Sequence, residues 1–490
     1  MQKTQSFLAI DLGAESGRAI LGNIDERLTL EEVHRFPNGP VRVADHIHWD
    51  VLRLWAEIQN GLRIAAGKSS SLAGIGLDAW GVDFGLLDAA DHLIGNPYHY
   101  RDARTNGMIE AACQILPLEE IYSQTGIQFM HFNTLFQLFA MRQENDPALH
   151  SAKTFLTIPD LFNFWLNGII VNEFTNATTT QCYNSRENRW ASELLNALEL
   201  PQQIFGQIVP PGTVLEKLRP SVAEEASCER IPLIAVGSHD TASAVAAIPA
   251  EGDDFIYISS GTWSLIGIET RQPIINANSL KYNFTNEGGV SDTIRFLKNI
   301  MGMWLLQECR RQWTKAGKSY SYDELTNLAL GAPALQSFVF VGDDRFLSPG
   351  AMVERIQGFC RQTGQSIPQT NAQVVRCILE SLALEYRWNT EKLRELSGKT
   401  LPVIHIIGGG SRNRLLNQFT ADATGCNVIA GPVEATAIGN ILLQAIGLGH
   451  LSSLEEGRAL VRRSFDVLSF KPKTTPAWDE AYQRYLALRK

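Results

Sequence analysis

The chain has no apolar run near the roughly 18 residues needed to cross a bilayer, so no membrane span is expected. Basic charge is not in excess. Lys and Arg number 43 against 52 Asp and Glu, a net charge of -9. An acidic balance with no basic block excludes a general binder of nucleic acid or anionic membrane. Cysteine is sparse: seven residues, odd in number, with no CxxC pair and so no disulfide framework. Cys360 and Cys377 flank 16 residues, a spacing open to a disulfide, although buried thiols are the default in cytosol. The opening Met1-Gln2-Lys3-Thr4-Gln5-Ser6 runs into a strand-like stretch without a signal-peptide pattern, so a cytoplasmic protein is expected.

The familiar nucleotide and metal motifs are missing too. Gly67-Lys68-Ser69 would complete a Walker A loop only with glycine at position 62, where Leu62 stands. Gly74-Ile75-Gly76 meets Ala79 where dinucleotide spacing requires glycine, and Gly408 and Gly410 meet Asn413. No HExxH occurs among the ten histidines, and His46 with His48 reads as a solvated loop. An enzyme that uses ATP on this chain needs a different phosphate cradle.

What is present is a chain of 490 residues, 44% apolar and 19% charged. That supports packed cores and, at about 150 residues per domain, two or three domains. Phe7 to Gly22 reads as a strand, a tight turn over Gly13 to Gly17 and a second strand. Phe255 to Gly267 has the same shape, with Gly13 falling on Gly261 and Ile10 on Ile258 at an offset of 248 residues. A repeat at half the chain length points to a duplicated domain. The boundary is expected near residue 245, giving domains over 1–245 and 246–490. Helices are expected over 49–66, 372–396, 415–423 and 435–445, and buried strands over 231–236 and 402–407.

Chemistry concentrates at the strand ends. Asp11 closes a buried strand, where a carboxylate is costly unless paired, and a divalent cation is one partner. The turn Ala14-Glu15-Ser16-Gly17-Arg18 offers backbone N–H groups to a phosphate, as does Ser259-Ser260-Gly261-Thr262. Each turn alone also fits a plain hairpin. Gly408-Gly409-Gly410 lets a flat ring or a phosphate lie on the backbone, or simply makes a tight strand-to-helix turn. In Gly237-Ser238-His239-Asp240-Thr241, Asp240 fits a cleft acid or base and equally a helix N-cap. Asp78, Trp80, Gly81 and Asp83 form a strand-turn-strand whose alternation suits a polyol, with an ordinary hairpin as the other reading. Tyr100 to Thr105 is a dense charged loop.

Together these residues resemble the FGGY family of carbohydrate kinases over nearly the whole chain. The resemblance rests on Ala9-Ile10-Asp11-Leu12-Gly13, Asp78 to Phe84, Tyr100 to Thr105, Glu173 to Gln181, Gly237 to Ala244, Ser259 to Ser264, Thr285 to Gly289, Leu297 to Gly302 and Ile407 to Gly410. It implies an α/β fold: two ribonuclease-H-like domains of the sugar-kinase/actin-like ATPase superfamily with an interdomain cleft. It implies ATP and Mg²⁺ as cofactors, and a sugar and ATP as the small-molecule partners, with the number of subunits left open. Ala14, Glu15, Ser16, Gly17, Arg18 and Thr262 would hold ATP phosphates, and Gln307, Gly408, Gly409 and Gly410 would flank the nucleotide. Gly81, His239, Asp240, Thr241 and Asn299 would bind the sugar, Asp240 as general base, and Asp11 would anchor Mg²⁺ through water. Glu15 stands where small residues are common, so its side chain is expected to point outward. Trp80-Gly81-Val82-Asp83-Phe84 and Lys298-Asn299-Ile300-Met301-Gly302 are most similar to family members that act on L-rhamnulose. That implies L-rhamnulose 1-phosphate as product, in rhamnose breakdown. Fuculose or xylulose is the alternative ketose.

Overall fold

A computed structural model describes residues 4–69, 71–473 and 476–489. Met1 to Lys3, the start of the opening stretch, lie outside the described residues. The chain divides into two compact units. The first comprises Met1–Pro249, Glu269–Phe296 and Ala435–Ser464; the second comprises Ala250–Ile268, Leu297–Glu434 and Phe465–Lys490. The two later pieces of the first unit lie within the stretch that the sequence reading places in the second domain. No helix among the described residues is long and apolar enough to cross a membrane.

The first unit is built on a six-stranded sheet. Gln5–Leu12 pairs antiparallel with Ser16–Ile24 and parallel with Gly74–Ala79. Gly74–Ala79 pairs parallel with Pro232–Ala235, and the outer strands Leu28–Pro37 and Thr213–Lys217 are antiparallel. Leu8, Ile10, Ile75, Leu77 and Leu233 pack with Leu54, Ile58 and Leu62 of the helix Val51–Lys68. The buried face of that helix runs through Leu54, Ile58, Leu62 and Ala65, while Leu52, counted in the sequence pattern, is exposed. The other side of the sheet meets the helix Ala435–Gly447, whose Gln444 donates to the Leu8 carbonyl at 3.0 Å. Cover on both sides explains why these strands read as continuous apolar runs rather than alternating ones.

In the second unit, Phe255–Ser260 pairs antiparallel with Trp263–Thr270 and parallel with Val403–Ile407. Val403–Ile407 pairs parallel with Asn427–Ala430, which pairs antiparallel with Leu468–Phe470. Each unit therefore has a hairpin whose first strand is followed, on its other edge, by two parallel strands. The resemblance between the two hairpins extends to the sheets that hold them. The helix Asn371–Ser397 opens with a capping box between Thr370 and Gln373 and stops at Gly398, whose φ of 70° suits glycine.

Candidate active site

In the first unit the turn after Gln5–Leu12 is fixed by backbone bonds. The Gly13 N–H donates to the Ser16 carbonyl at 3.0 Å and the Asn38 N–H to the Glu15 carbonyl at 3.0 Å. Asn38 Nδ2 donates to the Gly13 carbonyl at 2.8 Å. A Cβ on Gly17 would lie 2.2 Å from the Phe36 ring, so only glycine fits there. Ala14, Ser16 and Arg18 are half-buried, and Glu15 is exposed. The Arg18 guanidinium hydrogen-bonds the buried Asp11 carboxylate from the strand position directly opposite. The charge on Asp11 that sequence reasoning assigns to a cation thus has a protein partner as well.

Asp78 sits in register beside Asp11 on the neighbouring parallel strand and is fully buried. Asn440 Nδ2 donates to its Oδ2 at 2.6 Å, while Oδ1 has no hydrogen-bond partner. Burial first, and the nearby negative charge of Asp11 second, hold the Asp78 carboxyl well above the usual carboxylate range. Asp83 is also buried. It accepts from Trp49 Nε1 at 2.6 Å, Trp80 Nε1 at 3.0 Å and Gln137 Nε2 at 2.8 Å, and burial raises its pKa to about 6.

The expected polyol edge of Asp78, Trp80 and Asp83 therefore needs correction. The Phe84–Leu87 strand pairs with Thr154–Thr157 rather than folding back on Gly74–Ala79. Both carboxylates are buried inside the unit, with Asp83 taken up by Trp49, Trp80 and Gln137 and Asp78 bonded through Oδ2 alone. Gly81 remains half-buried at the turn, with Thr179 Oγ1 at 3.0 Å from where a Cβ would lie. The charged Tyr100–Thr105 loop turns Asp102 and Arg104 inward. Arg104 is buried, stacks over the Tyr98 ring at 3.9 Å and donates to Gln137, and Asp102 accepts the Ile47 N–H at 2.7 Å.

The segment after the Pro232–Ala235 strand carries His239, Asp240 and Thr241. The Ala79 N–H donates to the Ser238 carbonyl at 2.9 Å, which ties this segment to the neighbouring strand. Buried Glu173 holds it from below, accepting Ser238 N at 3.0 Å and Ser238 Oγ at 2.7 Å while also accepting Thr175 N and Oγ1. The helix spans Asp240–Ala246, so His239 occupies the cap position and Asp240 the first helical one. That removes the N-cap reading of Asp240. Its side chain is 32% exposed. Thr241 Oγ1 donates to Asp240 Oδ1 at 3.0 Å, and His239 Nε2 stands 3.5 Å from the same oxygen. Thr241 is buried. A Cβ on Gly439 would fall 1.7 Å from the Ser243 carbonyl oxygen, so the Asp240 helix and the Ala435–Gly447 helix meet backbone to backbone.

Sequence reasoning did not single out Glu173, Asn440, Glu287 or Arg295. Glu173 and Glu287 do lie inside quoted motif runs, but which donors they serve is a long-range matter.

In the second unit, Ser260-Gly261-Thr262 turns between its two strands. Thr262 is half-buried, and its carbonyl accepts the N–H of Gly302 at 3.1 Å and of Trp304 at 3.2 Å. Asn299 is half-buried on Ile294–Met301, in the strand that leads to Gly302. Gln307 lies in the helix Trp304–Lys315, and its Oε1 is buried without a hydrogen-bond partner. Gly408 has φ of 80°, and a Cβ on Gly410 would lie 2.0 Å from Ser260 Oγ. Nothing lies within 4 Å of a Cβ on Gly409. This glycine run ends the Val403–Ile407 strand and precedes Asn413, which caps the Arg414–Thr424 helix. Thr262, Gly408 and Gly410 are thus gathered at adjacent strand ends.

Among the described residues, no three His, Cys, Asp or Glu side chains are arranged to hold a metal ion. All seven cysteines are free thiols, Cys360 and Cys377 among them.

Two family models cover this architecture. The N-terminal domain of the FGGY family of carbohydrate kinases matches residues 6–247, and its C-terminal domain matches residues 256–448. The chain belongs to the FGGY family of carbohydrate kinases, with that family's two-domain α/β fold. A rhamnulokinase from Bacteroides thetaiotaomicron is 47% identical over 479 residues, covering 98% of each chain. One from Oceanobacillus iheyensis is 42% identical over 471 residues, 96% of this chain and 99% of the relative. Among solved structures, a ligand-bound xylulose kinase from Lactobacillus acidophilus superposes with a TM-score of 0.82 at 15% identity, over 99% of this chain and 98% of its own. A glycerol kinase from Plasmodium falciparum with ADP gives 0.79 at 15% identity, over 99% and 98%. These two likenesses speak to the fold.

Proposed function

We propose that the chain transfers the γ-phosphoryl group of ATP to the primary hydroxyl of L-rhamnulose, forming L-rhamnulose 1-phosphate in the cytoplasmic breakdown of rhamnose. The reading is carried by Asp240, a partly exposed carboxylate at a strand-to-helix junction whose Oδ1 accepts from Thr241 Oγ1 and lies 3.5 Å from His239 Nε2. The near full-length likeness to rhamnulokinases supports the choice of sugar.

Phosphoryl transfer has a loose transition state, so a kinase mainly positions groups and stabilises charge. Asp240 accepts the hydroxyl proton through Oδ2. Gly81, His239, Thr241 and Asn299 orient the sugar. The backbone of Ala14 to Arg18 and the Thr262 hydroxyl bind phosphate oxygens, and Gln307 with Gly408, Gly409 and Gly410 flanks the nucleotide. The exposed Glu15 contributes its backbone only. We assign the first domain to 1–245 and the second to 246–490.

The acidic side chains fit Mg²⁺. Asp11 and Asp78 are adjacent, Asp78 Oδ1 is an orphaned buried oxygen, and the charges of Asp11 and Asp240 both raise Asp78. Mg²⁺ is usually held by one or two carboxylates plus substrate phosphates, which suits a site without a three-ligand cage. Asp11 would hold it through water, and it would neutralise charge on the phosphates.

The test is Asp240→Asn. A proton acceptor contributes about 10²–10⁴-fold, and turnover should fall by that much while sugar binding, measured calorimetrically, survives. Turnover within a few-fold of wild type would place the base elsewhere.

A further inference from the structure

Arg295 is fully buried on the strand Ile294–Met301. Its Nε donates to the Gly288 carbonyl at 2.7 Å. Its Nη2 lies 3.0 Å from His239 Nδ1 and 3.3 Å from Glu287 Oε2. A guanidinium has donors only, so a ring nitrogen that meets it must be the acceptor. A neutral imidazole that accepts at Nδ1 carries its proton at Nε2. That nitrogen is the one 3.5 Å from Asp240 Oδ1. The other charged groups around the ring are Glu287, 3.4 Å from Nδ1, Asp78 on the adjoining strand, and Glu173 beneath Ser238.

We propose that Arg295 is a positioning residue that fixes His239 as the Nε2–H tautomer, which turns an N–H toward Asp240 Oδ1 and leaves Oδ2 to take the sugar proton. With the opposite tautomer, an Nε2 lone pair would face the carboxylate and repel it. Glu287 Oε2, 3.3 Å from Arg295 Nη2, balances the buried guanidinium charge, and Nδ1 makes its shorter contact, 3.0 Å, with Nη2 rather than with Glu287 at 3.4 Å. The inference rests on Asp240 as proton acceptor but is read out separately from it.

The experiment is nitrogen NMR on the wild-type protein labelled with ¹⁵N-histidine, without ligands, with the His239 signals assigned by their loss in His239→Gln. Protonated Nε2 and bare Nδ1 are expected at neutral pH. A proton on Nδ1, alone or with one on Nε2, overturns the inference whatever the variants do. Arg295→Met should mix the tautomers and lower kcat roughly 10–100-fold, the scale for residues that act through a neighbour, with KM for both substrates nearly unchanged. Arg295→Lys, which keeps a charge and a donor, should recover the Nε2–H form and most of kcat. An unchanged tautomer in Arg295→Met, with kcat per folded molecule also unchanged, reduces Arg295 to a structural role. If Arg295→Met does not fold, the wild-type tautomer together with Arg295→Lys decides. Turnover retained in Asp240→Asn with a wild-type Nε2–H tautomer overturns the reaction assignment alone, and turnover lost in Asp240→Asn with a proton on wild-type Nδ1 overturns this inference alone.

Discussion

At the scale of single residues, Thr262 and Asp83 give opposite kinds of test. Thr262→Val removes a hydroxyl assigned to phosphate while keeping the shape. The expected cost is about 1–3 kcal/mol in kcat/KM for ATP, the range for hydrogen bonds to charged groups. Unchanged ATP kinetics would leave that turn structural only. Asp83 lies deep inside, and its pKa stands at about 6 against an ordinary 3.8 because burial disfavours the charge. Between those values the folded protein keeps a proton that the unfolded chain has released. Stability from this group is therefore complete below the lower value and lost as pH rises through the upper one, about 3 kcal/mol in all. The melting temperature of Asp83→Asn relative to wild type should climb between pH 4 and pH 7. A constant difference across that range would contradict the assignment. Asp240, Thr262 and the glycines are candidates that the sequence offers because short motifs carry them, and their positions at strand ends follow from the same motifs. Glu173 was not legible there, since its acceptor role depends on Ser238, 65 residues away.

Elements were legible where one periodic stretch decides them. The helices Val51–Lys68, Asn371–Ser397 and Arg414–Thr424 lie within two residues of their expected ends. The Phe84–Leu87 strand was placed correctly as a strand, but its partner Thr154–Thr157 is far along the chain, and turn spacing says nothing of such pairing. Two helical glycines make a test at this scale. Gly439→Ala would push a methyl into the Ser243 carbonyl and displace the helix that carries Asp240. Overpacking of this sort costs about 1–3 kcal/mol, and kcat should fall with stability. Gly358, in the Met352–Gln362 helix, has nothing within 4 Å of a Cβ. Gly358→Ala should stabilise by about 0.5–1 kcal/mol without touching kcat. Thermal unfolding and steady-state kinetics on both variants check the pair, and equal effects would show that the close helix contact is not what matters.

For the whole molecule, the duplicated hairpin was visible as a repeat, because strand and turn residues recur in order. The return of Glu269–Phe296 and Ala435–Ser464 to the first unit was not visible, since nothing local marks a helix such as Ala435–Gly447 as the cover of a sheet that starts at Gln5. The surroundings of that sheet explain the buried polar residues on the helix: Asn440 meets Asp78, and Gln444 meets the Leu8 carbonyl. The central claim concerns what this architecture turns over. It is tested most directly by a coupled ADP-release assay across L-rhamnulose, L-fuculose, xylulose and glycerol with ATP and Mg²⁺. L-rhamnulose should give the highest kcat/KM, with ADP formed in step with L-rhamnulose 1-phosphate. A clear preference for any other acceptor in the panel would contradict the assignment.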